Sequence, residues 1–172
     1  MDSQKNKLTQ EQQQIINDLY SNNEIEVIES IKKIRNKGGK YSILPLMDTF
    51  FKTDFVDVRK AIAGLFGDLK DNKVSPVITE NLLNYSNHEQ MGLFLSNIWQ
   101  STLAFEDLKI FTELFVISEP KASLECMTII EQNLANISDA NREECLGILK
   151  TNIAKFEGFK HELAQDLINI MS

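Results

Sequence analysis

Residues 41–69 decide the fold. They read Tyr41-Ser-Ile-Leu-Pro-Leu-Met-Asp-Thr-Phe-Phe-Lys52 and then, after a break, Val56-Asp-Val-Arg-Lys-Ala-Ile-Ala-Gly-Leu-Phe-Gly-Asp-Leu69. In each half the apolar residues recur three or four positions apart, which is typical of a helix with one buried face. The break at Lys52-Thr-Asp54 is short. These residues therefore predict two helices that are joined by a tight turn.

Helix-sized pairs of this kind recur along the chain. First helices are expected to begin near Thr9, Tyr41, Val74, Ala104 and Asp139, so the steps are 32, 33, 30 and 35 residues. A period in this range is typical of stacked helical repeats, in which each unit buries its apolar face against its neighbours. No stretch alternates with a period of two for long enough to predict a strand. The sequence predicts an all-α solenoid of about five antiparallel helix pairs.

Length and composition favour one domain. The 172 residues are 42% hydrophobic and 25% charged, which fits a soluble globular chain with a continuous core. We expect residues 1–8 to be a disordered N-terminus, because they are polar, and 9–172 to form a single helical-repeat domain. No run approaches the roughly 18 apolar residues of a membrane span, so no membrane association is expected.

The charge distribution argues against a nucleic-acid partner. Residues 1–75 carry 12 basic and 11 acidic side chains, a net charge of +1, whereas residues 76–172 carry 6 and 14, a net charge of −8. Nucleic-acid binders normally present a basic stripe, since contacts with phosphates supply much of their affinity. The one basic cluster lies within residues 31–40 and is interpreted as favourable charge at a helix C-terminus, with an acidic partner or a phosphate as the alternative.

The chemistry-bearing residues do not form a recognisable catalytic pattern. His88 and His161 are the only histidines and lie in different helix pairs, so neither a catalytic nor a metal role is expected. Cys126 and Cys145 are interpreted as buried free thiols in a reducing, cytoplasmic compartment, with a redox pair as the alternative. The sequence therefore predicts a chain that is not an enzyme and needs no cofactor.

Several local signals predict helix ends and contacts. Thr9 with Gln12, and Ser86 with Glu89, match the capping box of a helix N-terminus. A pair of glycines at 38–39 predicts a helix C-terminus with positive φ. Gly64 and Gly67 lie inside a predicted helix, where each costs about 1 kcal/mol relative to Ala, so a close backbone neighbour is expected.

Residues 41–69 resemble a HEAT repeat. The first helix carries an apolar run with a proline, Ile43-Leu-Pro-Leu46, and the second opens with Val58-Arg59 followed by small and apolar residues. The family usually has an acid six residues before this arginine, which forms a polar ladder between repeats. Here that position is Thr53, and Asp54 or Asp57 is left as a local partner for Arg59. The resemblance implies a right-handed, HEAT- or armadillo-like solenoid.

The same resemblance implies a binding surface. HEAT-like chains are commonly adaptors, scaffolds or regulatory subunits that present a groove, lined by their second helices, to a protein or peptide. Carried onto this sequence, that geometry gives a set of candidate partner-binding residues: Lys60, Gln90, Ser96, Asn97, Trp99, Gln100 and Thr128. Trp99 is interpreted first as packing between repeats and alternatively as an interface anchor.

Two alternatives to a protein-binding module remain open. A minority of HEAT-like proteins are enzymes that act on nucleic acid or tetrapyrroles, and the low basic content after residue 75 disfavours that class. The other alternative is a structural module of a homo-oligomer. Exposed apolar residues on the last helix, among them Leu167, Ile168 and Ile170, would favour it, because the ends of solenoids need polar caps.

Overall fold

The computed structural model describes residues 8–172, and these residues are all-helical. The expected disordered segment 1–8 therefore lies outside the described residues, apart from Leu8. Ten α-helices and four short 3₁₀ turns make up the regular structure of the described part, which contains no strand. None of these helices is both long and apolar enough to cross a membrane.

The helices follow one another with short connections. Their bounds are α1 Gln10–Leu19, α2 Glu24–Lys37, α3 Lys40–Lys52, α4 Val56–Gly67, α5 Ser75–Leu82, α6 Met91–Gln100, α7 Lys109–Ile117, α8 Pro120–Asn133, α9 Asp139–Asn152 and α10 Gly158–Met171. The 3₁₀ turns are Asn72–Val74, Leu83–Tyr85, Leu134–Asn136 and Ile153–Lys155. The chain divides into two compact units, Met1–Leu65 and Phe66–Ser172.

The first unit buries the stripes that its sequence predicts. Leu46, Met47 and Phe50 of α3 and Val58 and Ile62 of α4 are fully buried. Within this unit α1 packs against α2 and against α3. Burying a large apolar side chain contributes roughly 1.5–3 kcal/mol, so these stripes are the main source of the unit's stability.

The second unit has an aromatic core. The rings of Phe66 and Phe94 lie 4.8 Å apart, and those of Phe105 and Phe111 are separated by the same distance, both in edge-to-face geometry. Here α8 packs against α6, α7 and α10, and α9 packs against α7 and α10. Edge-to-face pairs add roughly 0.5–1.5 kcal/mol beyond the area they bury, which favours this arrangement over looser packing.

Two helix starts are confirmed by their caps. Thr9 caps α1: its hydroxyl accepts from the Gln12 backbone N–H at 3.1 Å, and the Gln12 side chain accepts from the Thr9 backbone N–H at 2.9 Å. This is the predicted capping box. Ser138 caps α9, whose first residue is Asp139. In both places the sequence places the start of the helix correctly.

The start expected near Ala104 is wrong, because α7 begins at Lys109. The backbone N–H groups of Ala104, Phe105 and Leu108 donate instead to asparagine side chains, at 2.9, 2.9 and 3.0 Å. The acceptors are Asn72, Asn133 and Asn141. Residues 101–108 are therefore an irregular segment that side chains distant in sequence hold in place.

The second predicted capping box is also wrong. The N-cap of α6 is Gln90, not Ser86, and it makes no side-chain cap hydrogen bond. The 3₁₀ turn Leu83–Tyr85 has already redirected the backbone at this point, and the His88 N–H donates to the Tyr85 carbonyl at 2.9 Å. Residues 86–90 thus form a turn, and α6 begins at Met91, two residues after the pattern ends at Glu89.

The glycine expectations are met only in part. Gly38 follows the end of α2 as predicted, but its φ is −72°, and the only positive φ among the described residues belongs to Gly158. Gly38 is required by space instead, since a Cβ there would lie 2.4 Å from the Ile34 carbonyl oxygen. A Cβ on Gly64 would meet only a side-chain nitrogen of Arg35, at 3.8 Å, whereas one on Gly67 would lie 3.7 Å from the Asn97 backbone oxygen.

Candidate partner-binding surface

Helices α6 and α8 pack closely side by side in the second unit. Gly92, near the start of α6, lies at this contact, and a Cβ there would be in ordinary van der Waals contact with Ala122 of α8, 3.8 Å from both its Cα and its N. The buried side of α6 consists of Met91, Phe94, Leu95 and Ile98. Gly92 of α6 is also buried, and so are seven positions of α8, so only the positions that are not buried can form a surface.

In each of the two helices, most residues that are not buried lie on one face of the helix. Spacings of three, four and seven place residues on the same helix face. We define the α6–α8 face as Leu93, Ser96, Asn97 and Gln100 of α6 with Lys121, Leu124, Glu125 and Thr128 of α8. Leu93 and Leu124 are 39% and 40% exposed, so the face offers apolar as well as polar contact.

Trp99 lies at the border of this face and joins the two helices. Its indole N–H donates to a carboxylate oxygen of Glu125 at 2.6 Å, and both residues are half-buried. A hydrogen bond to a charged acceptor is worth more than a neutral one, so it fixes the ring. Packing between neighbouring helices, the first interpretation of Trp99, fits this contact, whereas the carboxylate partner was not predicted.

Most other candidates bond to their own helix. Ser96 and Asn97 both donate to the Leu93 carbonyl at 2.8 Å, and Gln100 donates to the Ser96 carbonyl at 2.7 Å. Thr128 does the same to the Leu124 carbonyl at 3.1 Å. Because these bonds are local, the side chains can turn toward a partner without breaking a tertiary contact.

Of the two remaining candidates, one precedes α6 and the other belongs to the first unit. Gln90 precedes α6, and its backbone N–H donates to Nδ1 of His88 at 3.1 Å. Lys60 lies on α4 in the first unit, is exposed, and pairs with Asp57 at 3.5 Å. The structure therefore brings Ser96, Asn97, Trp99, Gln100 and Thr128 together on one surface, with Gln90 at its end.

A cleft opens where α6 and α8 begin. It has a volume of about 420 Å³ and is lined by residues 86–93 together with Ile117, Ser118, Glu119, Lys121 and Ala122. Sequence reasoning missed this cleft, because its two walls come from segments some 30 residues apart. The glycine inside the apolar run Met91-Gly-Leu-Phe-Leu95 was the one available signal, since glycine in such a run often marks close contact.

The chain's other chemistry-bearing groups are engaged structurally. Cys126 and Cys145 are free thiols and fully buried, and burial raises the pKa of both. In the basic cluster Lys32, Lys33 and Lys37 pair with Glu29, Asp18 and Glu11 at 2.7, 3.6 and 3.2 Å. Within residues 8–172 no group of three or more metal-ligating side chains comes together.

Comparison with known proteins adds no assignment, since no family model, no curated protein and no solved structure matches the chain. The HEAT-like character of residues 41–69 remains a resemblance.

Proposed function

We propose that this chain is a non-catalytic protein–protein interaction module, an adaptor or regulatory subunit built as a HEAT-like solenoid. The stacking of alternate helices supports the architecture. In the second unit α6 packs against α8, α8 against α10, and α7 against α9, while in the first α1 packs against α3. A solenoid of antiparallel pairs has this pattern, because each helix stacks on its counterpart in the next repeat.

The observation that carries the functional proposal is the α6–α8 face. It combines Leu93 and Leu124, each about two-fifths exposed, with Trp99 held by Glu125. Protein interfaces are enriched in aromatic anchors that are surrounded by polar groups. Its partner is expected to be a protein or a peptide that places an apolar side chain between the two leucines.

Site-specific crosslinking in the native cell tests this face. A photoreactive residue at Gln100 is expected to crosslink a partner, whereas the same residue at Lys150, exposed on α9, is not. Adding Leu124→Glu to the Gln100 probe should lower the crosslinked yield at least ~10-fold, because it buries a charge at the contact. Equal yields from both probe sites, or a yield unchanged by Leu124→Glu, would reject the face.

A probe at Lys60 extends the test to the first unit. Lys60 is exposed on α4, and a protein crosslinked there would show that this unit also contacts a partner. If Lys60 captures nothing while Gln100 does, binding is confined to the second unit.

The homo-oligomer alternative receives less support from the last helix than its sequence implied. Leu167 is fully buried and Ile168 is half-buried, so only Ile170 of the three is exposed. Light scattering decides the matter, since a monomeric mass at high concentration excludes a stable self-assembly.

A further inference from the structure

Charge is divided unevenly between the two units. The first, Met1–Leu65, carries 10 basic and 9 acidic side chains, and several of its acids pair with lysines, as Asp48 does with Lys52 at 2.9 Å. The second, Phe66–Ser172, carries 8 basic and 16 acidic side chains, a net charge of −8. Because a surface of one charge sign attracts molecules of the other, this surplus favours a basic partner for the second unit.

Three carboxylates of this surplus lie beside the α6–α8 face. Glu131 follows Leu124 by seven positions and Thr128 by three, so it continues the face along α8. Glu162 and Asp166 are exposed on α10, which packs against α8. We define Glu131, Glu162 and Asp166 as the acidic edge. Among residues 8–172 no side chain forms an ion pair or a hydrogen bond with any of the three carboxylates, so their charges are available to a partner.

Helix α10 is fixed beside α8 at its start. Nζ of Lys160 donates to the Val116 and Ser118 carbonyls at 2.8 and 2.5 Å, and Ser118 is two residues before α8 begins. The buried side of α10 consists of Leu163, Ala164, Leu167 and Met171. Glu162 and Asp166 therefore lie on its exposed side. In the solenoid proposed above, α6, α8 and α10 form one layer, so this exposed side continues the α6–α8 face.

The combined surface offers two kinds of contact. Leu93 and Leu124 are partly exposed apolar groups, and Lys121 is the one basic side chain on the α6–α8 face, against Glu125 and the three carboxylates of the acidic edge. We propose that the partner is a basic amphipathic protein segment, whose apolar residue contacts the two leucines and whose lysine or arginine side chains pair with the acidic edge. This inference rests on the proposed function and adds the charge of the partner to it. Complementary charge also selects against acidic partners, because like charges brought together repel.

Two designed peptides of opposite charge probe the surface directly. One is a helical peptide with leucines along one face and lysines along the other, and in its matched control each lysine is replaced by glutamate. NMR titration of the labelled protein with the lysine peptide should give saturable shifts of the Leu93, Leu124, Glu131 and Asp166 amides that weaken with added salt. The glutamate peptide should bind at least ~10-fold more weakly. Equal binding of the two peptides, or no saturable shift at these amides, would overturn the proposal.

Charge reversal tests the acidic edge in the native cell. The photoreactive residue at Gln100 is combined with the triple substitution Glu131→Lys, Glu162→Lys and Asp166→Lys. The crosslinked yield should fall at least ~10-fold, because the new lysines repel a basic segment.

A second triple variant is the matched control. It changes the net charge by the same amount at exposed positions away from the acidic edge, through the substitutions Glu80→Lys, Glu106→Lys and Glu143→Lys. The Gln100 yield should stay within about twofold of the wild-type yield, since only local charge is screened weakly by salt. All six replaced side chains are exposed, so both variants should melt close to wild type.

The outcomes distinguish this inference from the proposed function. A Gln100 yield that exceeds the Lys150 yield but does not respond to reversal of the acidic edge would overturn the basic partner and leave the α6–α8 face in place. A yield that rises on reversal would identify an acidic partner, and a product of twice the chain's mass would identify a second copy of the chain. Either result would contradict the inference. Equal yields at Gln100 and Lys150 would reject the proposed function and the inference with it.

Discussion

Two connections between helices differ in how far along the chain their side-chain partners lie. They are residues 53–55, between α3 and α4, and residues 101–108, before α7. In the first, Thr53 accepts from the Phe55 N–H at 3.1 Å, and Arg59 donates to the carbonyls of Phe50 and Thr53. In the second, Asn72, Asn133 and Asn141 bond residues that lie 28 to 33 positions away. The first connection is fixed locally and the second by tertiary contacts.

The difference shows what a linear pattern can reveal. The break after Lys52 was predicted correctly because all of its partners fall within ten residues. The irregular segment was predicted as the start of a helix, because nothing near Ala104 shows that distant asparagines take its N–H groups. Local bonds survive partial unfolding, whereas tertiary bonds are lost with the packing around them.

The substitution Asn133→Ala tests this comparison with the largest expected change in stability. Asn133 is 4% exposed, accepts from the Phe105 N–H at 2.9 Å and donates to the Ile129 carbonyl at 2.8 Å. Its loss leaves a buried N–H unpaired, so we expect a drop in unfolding free energy of about 2–3 kcal/mol. Urea unfolding measures it. The exposed control Asn84→Ala should stay within about 0.5 kcal/mol, and an equally small effect of Asn133→Ala would contradict the tertiary anchoring.

Arg59→Met tests the local connection, with an expected loss of about 1–2 kcal/mol. The guanidinium donates to the carbonyls of Phe50 in α3 and of the C-cap residue Thr53, in place of the local acidic partner, Asp54 or Asp57, that the sequence left open. Asp54→Asn and Asp57→Asn should each change stability by less than about 0.5 kcal/mol. A larger loss in either aspartate variant than in Arg59→Met would restore the acidic partner.

Thr9→Ala tests the capping box of α1, in which the bonded residues are only three positions apart. It removes the capping box of α1, which should cost about 1 kcal/mol in chemical unfolding and increase hydrogen exchange in the first turn of that helix. Thr9→Ser retains the hydroxyl and should restore most of the loss. Full stability in Thr9→Ala would mean that α1 is held by its packing alone.

The smallest expected effect is a pH dependence from Lys160, another distant anchor. Its Nζ donates to the Val116 and Ser118 carbonyls at 2.8 and 2.5 Å, and burial lowers its pKa below the ordinary 10.5. The folded state therefore releases this proton first, and wild-type stability should rise with pH between the two pKa values. Unfolding at about pH 7.5 and about pH 9.5 should show wild type gaining on Lys160→Met. A constant difference would contradict the lowered pKa.

Sequence patterns predicted the helices more accurately than the surface features. The stripes around Phe50 and Ile62 and the cap at Thr9 follow from spacing and side-chain chemistry, and these were predicted correctly. The capping box predicted at Ser86 was wrong because a 3₁₀ turn precedes it, and the His88 N–H already donates to the last residue of that turn. The cleft beside Ser118 is formed where the starts of α6 and α8 come together. The spacing of residues along the chain does not predict which helix starts lie next to each other.

The two buried cysteines give the molecule built-in reporters of its own opening. Cys126 and Cys145 lie on α8 and α9 and have no exposed surface. A thiol reagent can modify each one only when its helix separates from the core, so labelling rates measure local opening rather than intrinsic reactivity. Equal rates would mean that α8 and α9 open as one cooperative unit, and unequal rates would show which of the two helices opens first.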